Sequence, residues 1–436
     1  MESLARVASN DVTEHLGSDA LVGLCDSSTR RRFDPFSDID WDAEENQLDR
    51  NDPRWELDPE IFPLAATDWY RGQPLQQRID MGRWITANIL KVTLQFEMML
   101  IRGVIHHSGK VPNGSLVFRD LLHELSEECN HIQMFQEFVN RTGDDVPGMR
   151  RGSRIFGPLL GFIGGYAYVF LFIGVLCGEQ PLHFQQTLQH RGAAAVPPLL
   201  NKITAIHLAE EARHISFASN YLEERIRAAG RFRRVLHSLA FPFLLRWLIG
   251  EMVAPPRAFA RQFGVPRRSF KHAYWRSARS RQMLASSAAD VRRGAADLGL
   301  RAPWVRWVWR IAGIDGPLPR YRGEPDRTHV VANQNVFPVA IAGRVAATAM
   351  MMAITFAFTP VGVRISLVAL AGAGLWSAYH NLRARRGGVT GNQPFEWPRL
   401  LVWLLVCFGM IPAGGLIGLA LLVFMILTVA EFTPTL

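Results

Sequence analysis

The sequence predicts an all-α protein: a four-helix bundle with extra helices, built around a pair of metal ions, followed by C-terminal transmembrane helices. Three observations predict it. Two segments, Glu127-Glu128-Cys129-Asn130-His131 and His207-Leu208-Ala209-Glu210-Glu211-Ala212-Arg213-His214, each carry Glu-x-x-His inside helix-favouring sequence. No stretch shows the apolar–polar alternation of a half-buried strand. Residues 337–360 (apolar apart from Arg344), 365–382 and 400–430 form long apolar runs near the end of the chain, each long enough to cross a bilayer.

The elements follow in chain order. Residues 1–28 are polar, with no apolar core of a signal peptide, and read as a disordered, cytosolic tail. The segment from Arg30 to Glu60 is rich in Asp, Pro and Trp without periodicity and reads as an ordered wrap. Helical patterning starts near Pro74. It gives a first helix over 83–107 carrying Glu97 and a second over 115–141 carrying Glu128 and His131, ended by Gly143 and Pro147. A third over 155–180 carries Glu179 near its end, where Pro181 kinks or stops it. A fourth over 198–228 carries the second motif and stops at Gly230. Further helices over 235–312 are broken around Pro255-Pro256 and Gly264–Pro266. The domains are thus a tail (1–28), a helical bundle (29–315), a Pro-, Gly- and Asn-rich linker (316–336) and a membrane region (337–436) with three or four spans.

Residues 155–178 are uncharged for 24 positions, which satisfies a transmembrane criterion. A crossing there would put the two Glu-x-x-His motifs on opposite sides of a bilayer, so the run is expected to stay inside the bundle. Gly157, Gly161, Gly164 and Gly165 suit close helix packing. Beyond the linker, Arg383, Arg385 and Arg386 lie between the second and third apolar runs, and place that loop on the cytoplasmic side. The expected location is the cytoplasmic membrane, multi-pass, with the bundle in the cytoplasm. The lipid bilayer is then a partner, and it accounts for the net charge of +9. No zinc-finger spacing or RNA-binding motif points to nucleic acid. The four cysteines, Cys25, Cys129, Cys177 and Cys407, form no paired framework and suit a reducing compartment.

A lone Glu-x-x-His is commonly a solvated surface pair. Glu97 lies among apolar residues and needs a partner, for which Arg102 is an alternative to a metal. Glu179 could mark where an apolar run meets water. His106, His107, His123, His183 and His190 read as ordinary polar positions. The combination carries the weight: four helices in order bear Glu, Glu-x-x-His, Glu and His-x-x-x-Glu-x-x-His, the donor pattern of a carboxylate-bridged di-metal site. His207, Glu211 and His214 stand at about 0°, 40° and −20° around one helix axis and share a face. Glu124, Glu128, His131 and Phe135 share a face of the second helix. The i, i+3 relation selects Glu128 and Glu211 over Glu127 and Glu210.

These helices resemble the ferritin-like di-iron oxygenases of the p-aminobenzoate N-oxygenase family, in which the second Glu-x-x-His is preceded by another His four residues before its Glu, as His207 is here. The segment Arg31-Arg32-Phe33-Asp34-Pro35-Phe36 through Trp41 and the stretch Met283–Leu300 are also similar, so the resemblance spans roughly residues 28–315. It implies seven ligands (Glu97, Glu128, His131, Glu179, His207, Glu211 and His214) and two iron ions, with O2 as co-substrate. The implied reaction is N-oxygenation of an amine, such as an arylamine, to a hydroxylamine or nitro product through a peroxo-bridged diferric species. A separate electron-donor protein is expected, since no flavin or nicotinamide fingerprint is present, and a homodimer is compatible with this picture. The apolar C-terminal runs depart from soluble members. They keep open a membrane-tethered hydroxylase or desaturase of a lipid or other hydrophobic substrate. A ferroxidase or peroxide-handling protein is a further alternative.

Overall fold

In the computed structural model, residues 33–192 and 196–324 are described. The expected tail, the last part of the linker and the whole membrane region lie outside the described residues.

Four helices form the bundle, and each starts or stops for a local reason. α1 (Leu75–Ser108) begins directly after Pro74, about two turns earlier than the sequence predicts. α2 (Leu116–Thr142) is capped by Ser115, whose Oγ accepts the Phe118 N–H at 3.1 Å, and ends on Gly143 at φ 68°, a conformation that favours glycine. α3 (Arg151–Tyr166) and α4 (Tyr168–Arg191) are separated by Ala167, at φ −104°, ψ 57°. α5 (Pro198–Ala228) opens on a proline at its first position. α6 (Arg231–Val253) and shorter helices up to Arg306–Ile311 cover one side. α1 packs on α2, α4 on α5, α1 on α4 and α2 on α5, which closes the ring of four.

The third predicted helix is corrected here. The uncharged run is two helices, not one, and Pro181 lies inside α4, which continues ten residues further to Arg191. The reason is topological. α1 and α2 run antiparallel, so α2 delivers the chain to the bundle's starting end. α3 climbs back alongside α1, and the turn at Ala167 lets α4 descend with Glu179 at mid-height. The expectation that this run stays in the bundle holds: Phe172, Ile173, Val175, Leu176 and Cys177 of α4 are buried.

α3 lies close to α1 because its contact face is glycine. Gly157, Gly161, Gly164 and Gly165 are buried on that face, while Ile155, Phe162 and Tyr166 point outward and are exposed. A β-carbon on Gly161 would stand 2.4 Å from the Met99 carbonyl oxygen of α1. Among the described residues one helical stretch, Arg231–Gln262 (α6 and the short helix after it), is long and apolar enough to cross a membrane, and 61% of its most apolar part is buried in the fold.

The interior is layered. One apolar core takes Ile85, Leu90 and Leu94 of α1, Met134, Phe135 and Phe138 of α2, and Leu199 and Ile203 of α5. The ordered wrap adds Trp41, Trp55 and Leu57 to it. The other takes Phe96, Leu100 and Val104 of α1, Leu121 and Leu125 of α2, Phe172 and Leu176 of α4, and Ile215, Phe217 and Tyr221 of α5. Between them lies a polar layer, crossed by α1 near Glu97, α2 over 124–131, α4 near Glu179 and α5 over 207–214.

Gly161→Ala is expected to destabilise the fold by about 1–3 kcal/mol, because backbone must move, whereas Gly164→Ala meets only the Leu171 side chain at 3.1 Å and should have a smaller effect. Thermal denaturation of the two variants checks this ordering.

Candidate di-metal centre

The polar layer holds two groups of metal-binding atoms. Donor atoms of Glu97, His131, His207 and Glu211 lie within 4.8 Å of one another, and those of Glu124, Glu128 and His214 form a second such group. Two carboxylates stand between the groups. Glu128 presents Oε2 to His131 Nδ1 and Oε1 to His214 Nδ1, both at 3.0 Å. Glu211 Oε1 faces the same two nitrogens at 3.4 and 3.2 Å and His207 Nε2 at 3.4 Å. A pair of carboxylates each facing both groups is the arrangement a bridge requires. Six of the seven predicted ligands thus fall into the two groups. Glu179 is completely buried at the same level, where Glu211 and Glu128 act on its charge, but it joins neither tight group. Arg102 is exposed and bonds the Met98 carbonyl, so it is no partner for Glu97.

The imidazoles are held from behind. His131 Nε2 donates to Glu210 Oε2 at 2.8 Å, and His214 Nε2 donates to Glu127 Oε2 at 2.8 Å. The bonds cross between helices: the first glutamate of each doublet on one helix holds the histidine of the other. Arg213 bonds Glu127 Oε1 at 2.6 Å and lies 3.7 Å from Glu210, tying the two together. His207 is turned the opposite way, with Nδ1 against Gln186 Oε1 of α4 at 2.8 Å and Nε2 facing Glu97 and Glu211. Backing each metal-facing imidazole with an acceptor for its other N–H fixes tautomer and orientation. The i, i+3 criterion set Glu127 and Glu210 aside. The signal that could have found them is the doublet itself, repeated at the same place in both motifs. Gln186 had one weaker signal, its i+7 spacing from Glu179.

The electrostatics suit a cation. Burial, reinforced by neighbouring carboxylates, raises Glu97 and Glu179 well above the usual carboxylate range. Burial also raises Glu124, against the pull of His214. Burial works against the charged forms of His131 and His214 too, but the surrounding glutamates overcome it, and His131 is raised to about 10. The same imidazoles hold Glu128 well below its ordinary value despite its burial. His207, far from any compensating bond at Nε2, is pushed by burial down to about 3 and is neutral. Both oxygens of Glu97, Glu124 and Glu179, Oε2 of Glu211 and Nε2 of His207 are buried with no hydrogen-bond partner. Leaving so many buried polar atoms unsatisfied is very costly, and carboxylate oxygen with imidazole nitrogen suits iron or manganese. The donor set therefore fits a di-metal centre.

Two expectations follow from this geometry. Glu127→Gln and Glu210→Gln each replace the charged carboxylate behind an imidazole with a neutral amide and should weaken divalent-metal binding about 10–100-fold, read from binding isotherms. In the metal-free protein, Glu97, Glu124, Glu179, His131 and His214 all have folded pKa values above their unfolded ones. Each then binds more protons folded than unfolded, and its contribution falls as pH rises. Between pH 7 and 9, above the range where the depressed His107, His207 and His237 titrate, the metal-free melting temperature should drop. Adding metal should restore it with release of protons, measured by calorimetry in two buffers of different ionisation enthalpy.

Comparison with known proteins agrees with this centre. Residues 17–299 match the family described as p-aminobenzoate N-oxygenase AurF. The uncharacterized protein Rv0885 of Mycobacterium tuberculosis and the uncharacterized protein Mb0909 of Mycobacterium bovis are each 44% identical over 314 residues, 72% of this chain and 92% of theirs. No solved structure matches the chain. With a family match over most of its length and a buried carboxylate–histidine centre of the kind that family uses, the chain belongs to the AurF family of di-iron oxygenases and is an oxidoreductase.

Proposed function

We propose that the protein N-oxygenates an amine, converting an arylamine to a hydroxylamine or nitro product with O2. Two iron ions would be held by Glu97, Glu128, His131, Glu179, His207, Glu211 and His214. The observation that carries this reading is His207. Its Nε2 is buried and unpartnered, 3.4 Å from Glu211, while Gln186 fixes the other nitrogen. A third imidazole aimed at the centre is the feature that, by the resemblance, separates N-oxygenases from ferroxidase and peroxide-handling relatives with two. The bound irons would supply O2 activation and transfer of one oxygen atom to nitrogen, with electrons from a separate electron-donor protein.

The chain's own contribution is confinement and positioning. Phe135, fully buried, has its ring 5.0 Å from that of His207. Phe96 enters the space above Gly178, where a β-carbon would stand 2.2 Å from its ring. Such apolar walls exclude bulk water, which strengthens the electrostatic interactions inside. Glu127 and Glu210 retain the outer imidazole protons, so that the inner nitrogens present lone pairs.

A second reading is a membrane-tethered hydroxylase or desaturase acting on a lipid or other hydrophobic substrate. It is favoured by the uncharged runs 365–382 and 400–430. The same runs support a location at the cytoplasmic membrane with the bilayer as partner; a homodimer is compatible with either reading, and neither involves nucleic acid.

Detergent-purified protein, reconstituted anaerobically with ferrous iron and given O2 and a reductant, should convert members of an arylamine panel to hydroxylamines. His207→Ala should lower iron content and reduce turnover by about 100-fold or more. Product formation from acyl substrates and none from amines would favour the second reading, and normal iron content with full turnover in the variant would remove His207 from the centre.

A further inference from the structure

We propose that Glu124 is an additional ligand to the metal held by Glu128 and His214, beyond the seven residues assigned above. The inference rests on the di-iron reading of the same centre. Glu124 lies one helical turn before Glu128 on α2, so both carboxylates project to one face. It is 3% exposed, and both of its oxygens are buried without a hydrogen-bond partner. A donor atom of Glu124 lies within 4.8 Å of one on Glu128 and one on His214.

The shape of the two groups gives the inference its direction. The group around Glu97 already has four donors from three helices: Glu97, His131, His207 and Glu211. The other draws on Glu128 and His214, with Glu179 outside the tight cluster. Without Glu124 it is short of close donors. α2 thereby serves both metals from one face, with Glu124 on one side of Glu128 and His131 on the other. A buried carboxylate with no protein partner is expensive unless a cation meets it, and the position where it could be met is already marked by Glu128 and His214.

Titration with manganese(II), followed by the loss of its free-ion electron paramagnetic resonance signal, tests this on the full-length protein. Wild type is expected to bind two ions per chain. Glu124→Leu, which fills the volume without a donor, and Glu124→Gln, which keeps the shape, should leave one ion bound with unchanged affinity and weaken the other at least about tenfold. The metal-free melting temperature of both variants should stay level or rise, since an unpaired buried carboxyl is removed. Two ions bound with wild-type affinity in both variants would overturn the role of Glu124 and leave the di-iron reading standing. Fewer than two ions in the wild type would overturn both. A lowered metal-free melting temperature with an intact isotherm would make Glu124 a structural residue and end the proposal. If one variant does not fold, the isotherm of the other decides.

Discussion

The protein depends on burying more carboxylates than its own cations can neutralise. Glu97, Glu124, Glu128, Glu179 and Glu211 are at most 3% exposed in a single layer of the bundle. Arg213 is engaged by Glu127 and Glu210. In the absence of metal the layer settles its charge internally. Three carboxyls are driven towards the neutral form, and two imidazoles are driven towards the charged one. That settlement is poor, above all at Glu124, whose two oxygens are buried with no hydrogen-bond partner. Two divalent ions would remove the conflict. The helices on either side carry apolar cores whose burial offsets the strain of holding the layer together.

The topology serves that layer. A glutamate must reach it from α4, and α4 has to descend while α2 also descends. The chain therefore climbs once between them, and α3 is the climb. It lies against α1 through glycine because its role is to pass alongside the bundle without displacing α1. Side chains at Gly157 or Gly161 would push into Met99, two residues from Glu97. The glycine stripe is thus a spacing device whose effect is felt close to Glu97, one link from sequence to packing to site.

Much of this was legible in the sequence, and the rest failed for identifiable reasons. The sequence places α2 and α5 almost to the residue, with Gly143 and Gly230 marking their ends. Helical periodicity places Glu128 with His131, and His207 with Glu211 and His214, on the faces that meet in the polar layer. The uncharged run was read as one helix because hydropathy is blind to a reversal of direction; only the need to bring Glu179 to the height of Glu128 forces the turn at Ala167. Pro181 was given too much weight. Its missing N–H and the carbonyl it leaves unbonded break one link of a long helix held on all sides by packing, and α4 passes through it. His107, read as an ordinary polar position, is buried and bonds the Tyr221 hydroxyl at 2.8 Å. Its partner lies 114 positions away, which no local pattern reveals. Glu127 and Glu210 were set aside by a rule about which residues face inward, when their function is to reach the far nitrogen of a histidine on another helix.

The centre also divides its donors into two mechanical classes. Each imidazole is locked through its outer nitrogen, His131 by Glu210, His214 by Glu127 and His207 by Gln186. Locked rings cannot follow a metal that changes size or charge. The carboxylates of Glu97, Glu124 and Glu179 have no such tether, and a carboxylate can change between one-oxygen and two-oxygen binding, or between terminal and bridging positions, by rotating a single side chain. Oxygen chemistry requires a centre that alternates between charge states without letting go of its metals. In a loaded centre, fixed nitrogens would preserve the metal positions, while mobile oxygens would absorb the change in coordination. The doublets in the two Glu-x-x-His motifs thereby acquire a physical reason. One glutamate of each pair faces the histidine cluster, and the other anchors the histidine of the opposite helix, so the two motifs constrain each other.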